Sequence, residues 1–447
     1  IPLSYRQLGE EITIIAAFFQ ERGIQKGDRV AIYSSKKFPL LLIHLGVMRC
    51  GGVPVVLNTC FTEDEMCYFL RDSAARFVCA SEDTMGTLHN IQNDCPAIEE
   101  IFTHTDTPNL HTNHTFQPVD IVTDDHCFIL YSSGTTGRPK GVVHTHGNVA
   151  ASLLSLQQTW RFTKDDILLN VLPLFHLHGL SFGAHLTLIS GASMIVEDTF
   201  LNAMKMIGDA TVFMAIPTIY YAFLRRKEKF TQEARTWSKT RLFTCGSAPI
   251  RPEVLPELEE IIGRKIINRY GMTEAHVITS IPLDGPFVWG SVGKPIHGIE
   301  MKIVDDHGNV LSPGDKTENG NPRTGEIRIR GTNLFNQYWN KREETKKAFD
   351  PEGFFFTGDI GYQNTDGLLM LLGRKDDLII VDGENVYPPI VERVLNEFPH
   401  VKESAVVGIP NQKCGEVVVA FIVPESNIDV LQLRKYCQEK LAPYQQP

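Results

Sequence analysis

The 447-residue sequence contains no CxxC pair, no Cys/His cluster at zinc-ligand spacing and no apolar run of the roughly 18 residues that a membrane span needs. Its nine cysteines, among them Cys50, Cys60, Cys67 and Cys127, are scattered, which argues for buried thiols in a reducing cytoplasm rather than a disulfide scaffold. The most apolar stretch, TVFMAIPTIYYAFL, is broken by Pro217, so a soluble, cytoplasmic protein without a transmembrane span is expected. A basic excess is also missing. Forty-three Lys and Arg stand against 53 Asp and Glu, a formal net charge of -10, and nucleic acid is therefore an unexpected partner. A few lysines and backbone N–H groups can still hold a phosphate inside an acidic protein. The histidines of TDTPNLHTNHTFQP (His104, His111 and His114) lie in a polar, turn-rich connector and read as solvated rather than metal-ligating. The chain opens on Ile1 rather than Met, so its start gives no reading of targeting.

What remains is ordinary globular material, 43% hydrophobic and 21% charged, enough for two or three units. YRQLGEEITIIAAFFQERG has helical apolar spacing; DRVAIYSS, FPLLLIHLGVMRCGG and VPVVLN then read as strand, helix and strand. Similar alternation resumes from DDILLNVLP to TRLFTCGSAP, which predicts two α/β halves with mainly parallel sheets. From about Gly290 the short runs split by DHGN, TGD and TDG turns predict an antiparallel β region. Beyond Gly373 a small α+β unit is expected. The predicted organisation is a large domain over residues 1–375 and a small mobile lid over 376–447.

YSSGTTGRPKGVVHTH, Tyr131 to His146, follows the probable strand CFILY. Gly134 and Gly137 allow close backbone approach, while Ser132, Ser133, Thr135 and Thr136 supply hydroxyls. By composition the loop could be a flexible turn or, with Lys140 at its far side, a cradle for phosphate oxygens. It is not a GxxxxGK[ST] loop, and no kinase pattern occurs.

The order of residues carries more. YSSGTTGRPKGV resembles the phosphate loop of the AMP-forming acyl-activating enzymes: acyl-CoA synthetases, aryl-CoA ligases, luciferases and amino-acid adenylation domains. LPLFHLHG, GSAP, RYGMTE, TGEIRIRG, FFFTGD and GRKDDLIIVDGENVYP follow in that family's order over nearly the whole chain. The resemblance implies that a carboxylate attacks the α-phosphorus of ATP to give an acyl-adenylate, and that a thiol, CoA or a phosphopantetheine arm, then displaces AMP. It places Lys140, Thr135 and Thr136 on the β- and γ-phosphates, with Ser132, Ser133, Gly134 and Gly137 completing the loop. Glu274 matches the residue that helps hold Mg²⁺. Gly246, Ser247, Ala248 and Pro249 would surround adenine with Tyr270, followed in the chain by Gly271, Met272 and Thr273. Asp359 would accept from the ribose hydroxyls and Arg374 would reach the same sugar. Asp376 matches the hinge of the lid, and Gly383 the segment that the rotated lid presents to the thiol arm. Ile390 departs from the acidic residue usual two places after the first proline of YPPIVE. The family's near-C-terminal lysine would lie beyond Pro447, so the lid is expected to be incomplete here.

For the acid, amino-acid adenylation domains commonly carry an aspartate where this chain has His176, which has no fixed negative charge to hold an ammonium. NRYGMTEAHVITSIPLDG is similar to the matching stretch of malonyl-CoA synthetases, where an arginine can pair with a second carboxylate. Arg269 sits there, either as that ligand or as a structural ion-pair partner. His176 and His178 either wall the pocket or pack against it. The reading is an AMP-forming carboxylate–thiol ligase for a small or polar acid, with CoA as acceptor; the alternative is an amino-acid adenylating enzyme that loads an acyl carrier protein.

Overall fold

The computed structural model describes residues 2–103, 114–132, 138–381, 384–411, 413 and 415–447. Three helices begin where a hydroxyl residue can close a reciprocal cap. Ser4 with Gln7 opens Tyr5–Glu21, Thr62 with Glu65 opens Glu63–Ser73, and Thr145 with Asn148 opens His146–Thr159. The helix Lys37–Arg49 has no polar face, because Leu40 to His44, Gly46 and Val47 are all buried. It packs so closely on the first helix that a Cβ on Gly46 would lie 2.4 Å from Ile15 Cγ2.

Two seven-stranded sheets form the body of the large domain. The first runs Gln337–Tyr338, Lys140–Thr145, His126–Ser132, Val53–Val56, Arg29–Tyr33, Phe77–Ala80, Glu100–Thr103. Its last five strands pair in parallel, and Lys140–Thr145 returns antiparallel to His126–Ser132. The second runs Lys294–Pro295, His276–Ser280, Ile266–Met272, Leu242–Cys245, Val212–Ala215, Ile167–Asn170, Ser193–Val196, parallel from Ile266–Met272 onward. Buried Trp160 crosses between them, its indole N–H donating to Ser280 Oγ at 3.0 Å. Asp166 and Arg241 add a two-pronged ion pair at 2.8 and 2.7 Å. The expected antiparallel region is a five-stranded sheet from Ile299–Val304 to Leu369–Arg374. Residues from Ile379 onward close a separate core around Val386, Val391, Leu395, Val418 and Leu433. Among the described residues no helix is long and apolar enough to cross a membrane.

The core contains imidazoles among its apolar side chains. His44 and His185 stack with their Nε2 atoms 3.0 Å apart, and Phe128 packs against both and against His144. Burial pushes His44 well below its usual 6.5, and holds His144 and His185 at about 4. All three are therefore neutral in the fold at neutral pH. The unfolded chain takes up protons below the ordinary histidine value of 6.5 that the fold refuses, so their stabilisation is complete above that pH and is lost as pH falls. Each contributes a slope of about 1.4 kcal/mol per pH unit. Urea unfolding between about pH 7 and 5 is expected to show a falling free energy, and His44→Phe to flatten that fall by one proton's worth; an unchanged slope in the variant would remove this assignment.

Candidate active site

Strands Leu242–Cys245 and Ile266–Met272 are parallel neighbours, with Cys245 opposite Asn268. Ligands in open α/β sheets bind outside the carboxyl ends of such strands. Here that edge brings the GSAP turn, directly after the first strand, against Arg269 in the second. Arg269 is 4% exposed, and its Nη2 donates to Ser247 Oγ at 3.0 Å. The approach requires glycine at 246, because a Cβ there would lie 2.5 Å from Arg269 Nε. Ser247 itself holds φ at 70°, a left-handed conformation uncommon for a residue with a side chain. Ser247, Ala248 and Pro249 are exposed at the rim.

The opposite wall is His178–His185, a wide helix of the i→i+5 type that begins within LPLFHLHG. It carries His178, whose Nδ1 is 3.1 Å from Ser247 Oγ. Since the guanidinium must donate, Ser247 Oγ accepts from it, and its own proton is free for Nδ1 of a neutral imidazole. Assigning the His178 proton to Nε2 lets one serine hydroxyl satisfy both contacts, accepting from the guanidinium and donating to Nδ1. Burial, and secondarily the charge of Arg269, keep His178 well below its ordinary pKa. Burial lowers Arg269 to about 10, still protonated at neutral pH. No ion pair to Arg269 occurs among the described residues, and Phe182 lies under its guanidinium at 5.0 Å. Arg269 Nε and His178 Nε2 are both buried without a hydrogen-bond partner. His176 is exposed and rests on Phe175, outside this cluster of direct contacts.

A second cluster follows Tyr270. Its buried hydroxyl donates to Asp359 Oδ2, and Arg374, opposite Asp359 in the antiparallel sheet, donates from Nη1 to Asp359 Oδ1 at 2.8 Å and to the Thr357 carbonyl at 3.0 Å. Thr273 accepts from His144 Nε2 at 2.9 Å through its carbonyl. Glu274 is 7% exposed, and its Oε1 accepts from the Tyr338 hydroxyl at 3.0 Å. Burial raises the Glu274 pKa, against which the Tyr338 hydroxyl and the charges of Arg374 and Lys140 act. The Lys140 ammonium sits 4.8 Å above the Tyr338 ring. One tyrosine thus touches both groups.

Residues 1–339 match the family model described as AMP-binding enzyme, and residues 390–447 match its C-terminal domain. The chain belongs to the AMP-binding enzyme family. The chain is 32% identical to the malonate–CoA ligase of Arabidopsis thaliana over 95% of its own length and 74% of that protein. It is 33% identical to the oxalate–CoA ligase of the same plant, over 96% and 85%. ATP-bound MatB from Rhodopseudomonas palustris superimposes with a TM-score of 0.92 at 35% identity, covering all of this chain and 88% of that one. The apo form of that protein gives 0.83. The chain is an AMP-forming acid–thiol ligase that uses ATP and takes CoA as acceptor.

The fold therefore gathers Arg269, His178 and Ser247 in one cluster, and Tyr270, Asp359 and Arg374 in another, with Glu274 and Lys140 joined through Tyr338. Ser132 ends its strand opposite Lys140. Ser133, Gly134, Thr135, Thr136, Gly137 and Gly383 lie outside the described residues. Asp376 lies in the exposed bend between Leu369–Arg374 and Ile379–Val381. Sequence reasoning missed Tyr338. It lies in a two-residue strand, Gln337–Tyr338, too short for any periodicity, and only its antiparallel pairing with Val142 and Val143 brings it to Lys140. As for Mg²⁺, the buried Glu274 carboxylate accepts from Tyr338 through Oε1 and keeps lone pairs to spare, the hard oxygen such an ion prefers, so it fits.

Asp359→Ala leaves the Tyr270 hydroxyl and the Arg374 guanidinium without their shared acceptor. The expected cost is ~1–3 kcal/mol in urea unfolding without any ligand, and an unfolding midpoint equal to wild type would contradict the pairing.

Proposed function

We propose that this AMP-forming CoA ligase activates a short dicarboxylic acid. One observation carries the reading: a buried Arg269 guanidinium, without an ion pair among the described residues, shares Ser247 with His178, and each presents an unpaired N–H. Desolvating a charge costs several kcal/mol unless a partner compensates it. A carboxylate distal to the reacting one would accept from both donors and supply the missing charge. A monocarboxylate would leave both donors unpaired. The relatives named for malonate and oxalate support the same class.

In the first half-reaction an oxygen of the proximal carboxylate attacks the α-phosphorus of ATP and the bond to pyrophosphate breaks. Lys140 would hold the transferred negative charge on the β- and γ-phosphates, and Tyr338 would keep both Lys140 and Glu274 in place. Glu274 would ligate Mg²⁺, which when bound neutralises charge on the phosphate oxygens. Tyr270 and the GSAP turn would bracket adenine, while Asp359, oriented by Tyr270 and Arg374, would accept from the ribose hydroxyls. In the second half-reaction the CoA sulfur attacks the acyl carbonyl and AMP departs. We place the boundary between the two domains at Asp376, whose exposed bend can absorb the rotation of the lid.

Loading of an amino acid onto a carrier protein is disfavoured by the same cluster, because its direct contacts offer donors and a cation rather than a carboxylate for an ammonium. Arg269→Met is expected to raise the KM for a dicarboxylate ~10- to 100-fold in acid-dependent ATP–pyrophosphate exchange, with little change for a monocarboxylate. Equal effects on malonate, succinate, acetate and glycine would remove Arg269 from acid recognition. Asp376→Pro should spare pyrophosphate exchange and slow acyl-CoA formation; equal loss of both half-reactions would argue against a hinge at this residue.

A further inference from the structure

Lys140 Nζ has a carboxylate on it already. Glu344 Oε2 lies 2.9 Å away, and the other oxygen, Oε1, is 3.7 Å from Lys341 Nζ. Glu344 belongs to the short helix Arg342–Lys347, which is fixed to the same sheet as Lys140: Tyr338 pairs with Val142, and the Tyr338 N–H donates to Thr345 Oγ1 at 3.0 Å. The hydrogen bond from the Lys140 ammonium holds the Glu344 carboxyl below its usual range, so the carboxylate is ionised at neutral pH.

We propose that Glu344 is a positioning residue for the adenylation step: its carboxylate occupies Lys140 until a phosphate of ATP replaces it. The inference rests on the reading of Lys140 as a phosphate ligand. Two anions on one ammonium repel each other, so the arriving phosphate displaces the carboxylate. The exchange is inexpensive for three reasons. Both partners are substantially solvated, with side chains 35% and 43% exposed, so breaking the pair forfeits little. Lys341 already faces the second carboxylate oxygen and retains it after the exchange. Tyr338, held by its own strand pairing, keeps the Lys140 ammonium over its ring through the exchange. When pyrophosphate leaves, Glu344 returns to Lys140, so the lysine is never left without an anion.

Calorimetric titration with Mg-ATP, without any acid substrate, tests this separately from the dicarboxylate reading. Glu344→Gln keeps the shape of the side chain and removes the competing charge, and is expected to tighten ATP binding ~2- to 5-fold. Lys341→Met leaves Glu344 with Lys140 alone and is expected to weaken ATP binding. That weakening should vanish when E344Q is added, because there is no longer a carboxylate to hand over. ATP binding in E344Q that is equal to or weaker than wild type overturns the proposal. So does a K341M loss that persists in the E344Q background, since it would report only the field of Lys341 on the nucleotide. K140M separates the premise from the inference. In that background E344Q should have no effect, and a tightening that survives there overturns the exchange while leaving Lys140 free to be a phosphate ligand.

Discussion

The site is organised around one buried positive charge. An arginine 4% exposed, without an ion pair among the described residues, is expensive to desolvate, and the surrounding structure meets part of that cost locally. Gly246 leaves space for the guanidinium, Ser247 turns into a left-handed conformation to accept from it, and Phe182 lends its ring face. None of these neutralises the charge. On the proposed reading the missing counter-ion is the distal carboxylate of the acid, which arrives and leaves with the substrate.

The same constraint explains the state of the nearby histidines. A protonated His178 beside Arg269 would put two like charges in a dry wall, so the imidazole is kept neutral, and its neutral form lets Ser247 set the tautomer. The principle extends into the core. Phe182 leads to His276, His276 packs on His144 at 4.4 Å, and Phe128 connects His144 to His185 and His44. Packed in this way, the imidazoles serve as shape-filling aromatic rings. The neutral wall at His178 and the neutral imidazoles of the core therefore have one physical origin, burial away from water.

The sequence made much of this legible because its signals are local. Caps such as Thr62 with Glu65, the strand–helix alternation and the ordered motifs around Gly246, Tyr270 and Asp359 all depend on near neighbours. Arg269 could be named from its place before Tyr270, but its two possible roles were separable only when the fold showed no acidic partner. Tyr338 and Glu344 escaped notice for a related reason. Gln337–Tyr338 becomes a strand only through pairing with a segment almost two hundred residues earlier, and Arg342–Lys347 is a single exposed, charged turn whose pattern resembles any solvated helix end. His178 was legible as a candidate, while the wide helix that aims it was not, because apolar spacing does not distinguish a π-type turn from an α-type one.

On the proposed reading, exposure separates the tasks of the two cations. Lys140 is one-third exposed and already holds Glu344, so binding an anion there is an exchange of partners in which little net interaction is gained. That suits ATP, whose pyrophosphate must leave in every turnover. Arg269 is buried and has nothing to exchange, so an anion that reaches it gains nearly the full charge-assisted interaction, while an acid that lacks the second carboxylate gains none. A difference of this kind is what selection among small acids requires, because such acids have too little apolar surface for shape alone to discriminate among them. Affinity can therefore be modest at the phosphate end and selectivity high at the acid end within one site, and the two are set by burial rather than by the type of cation.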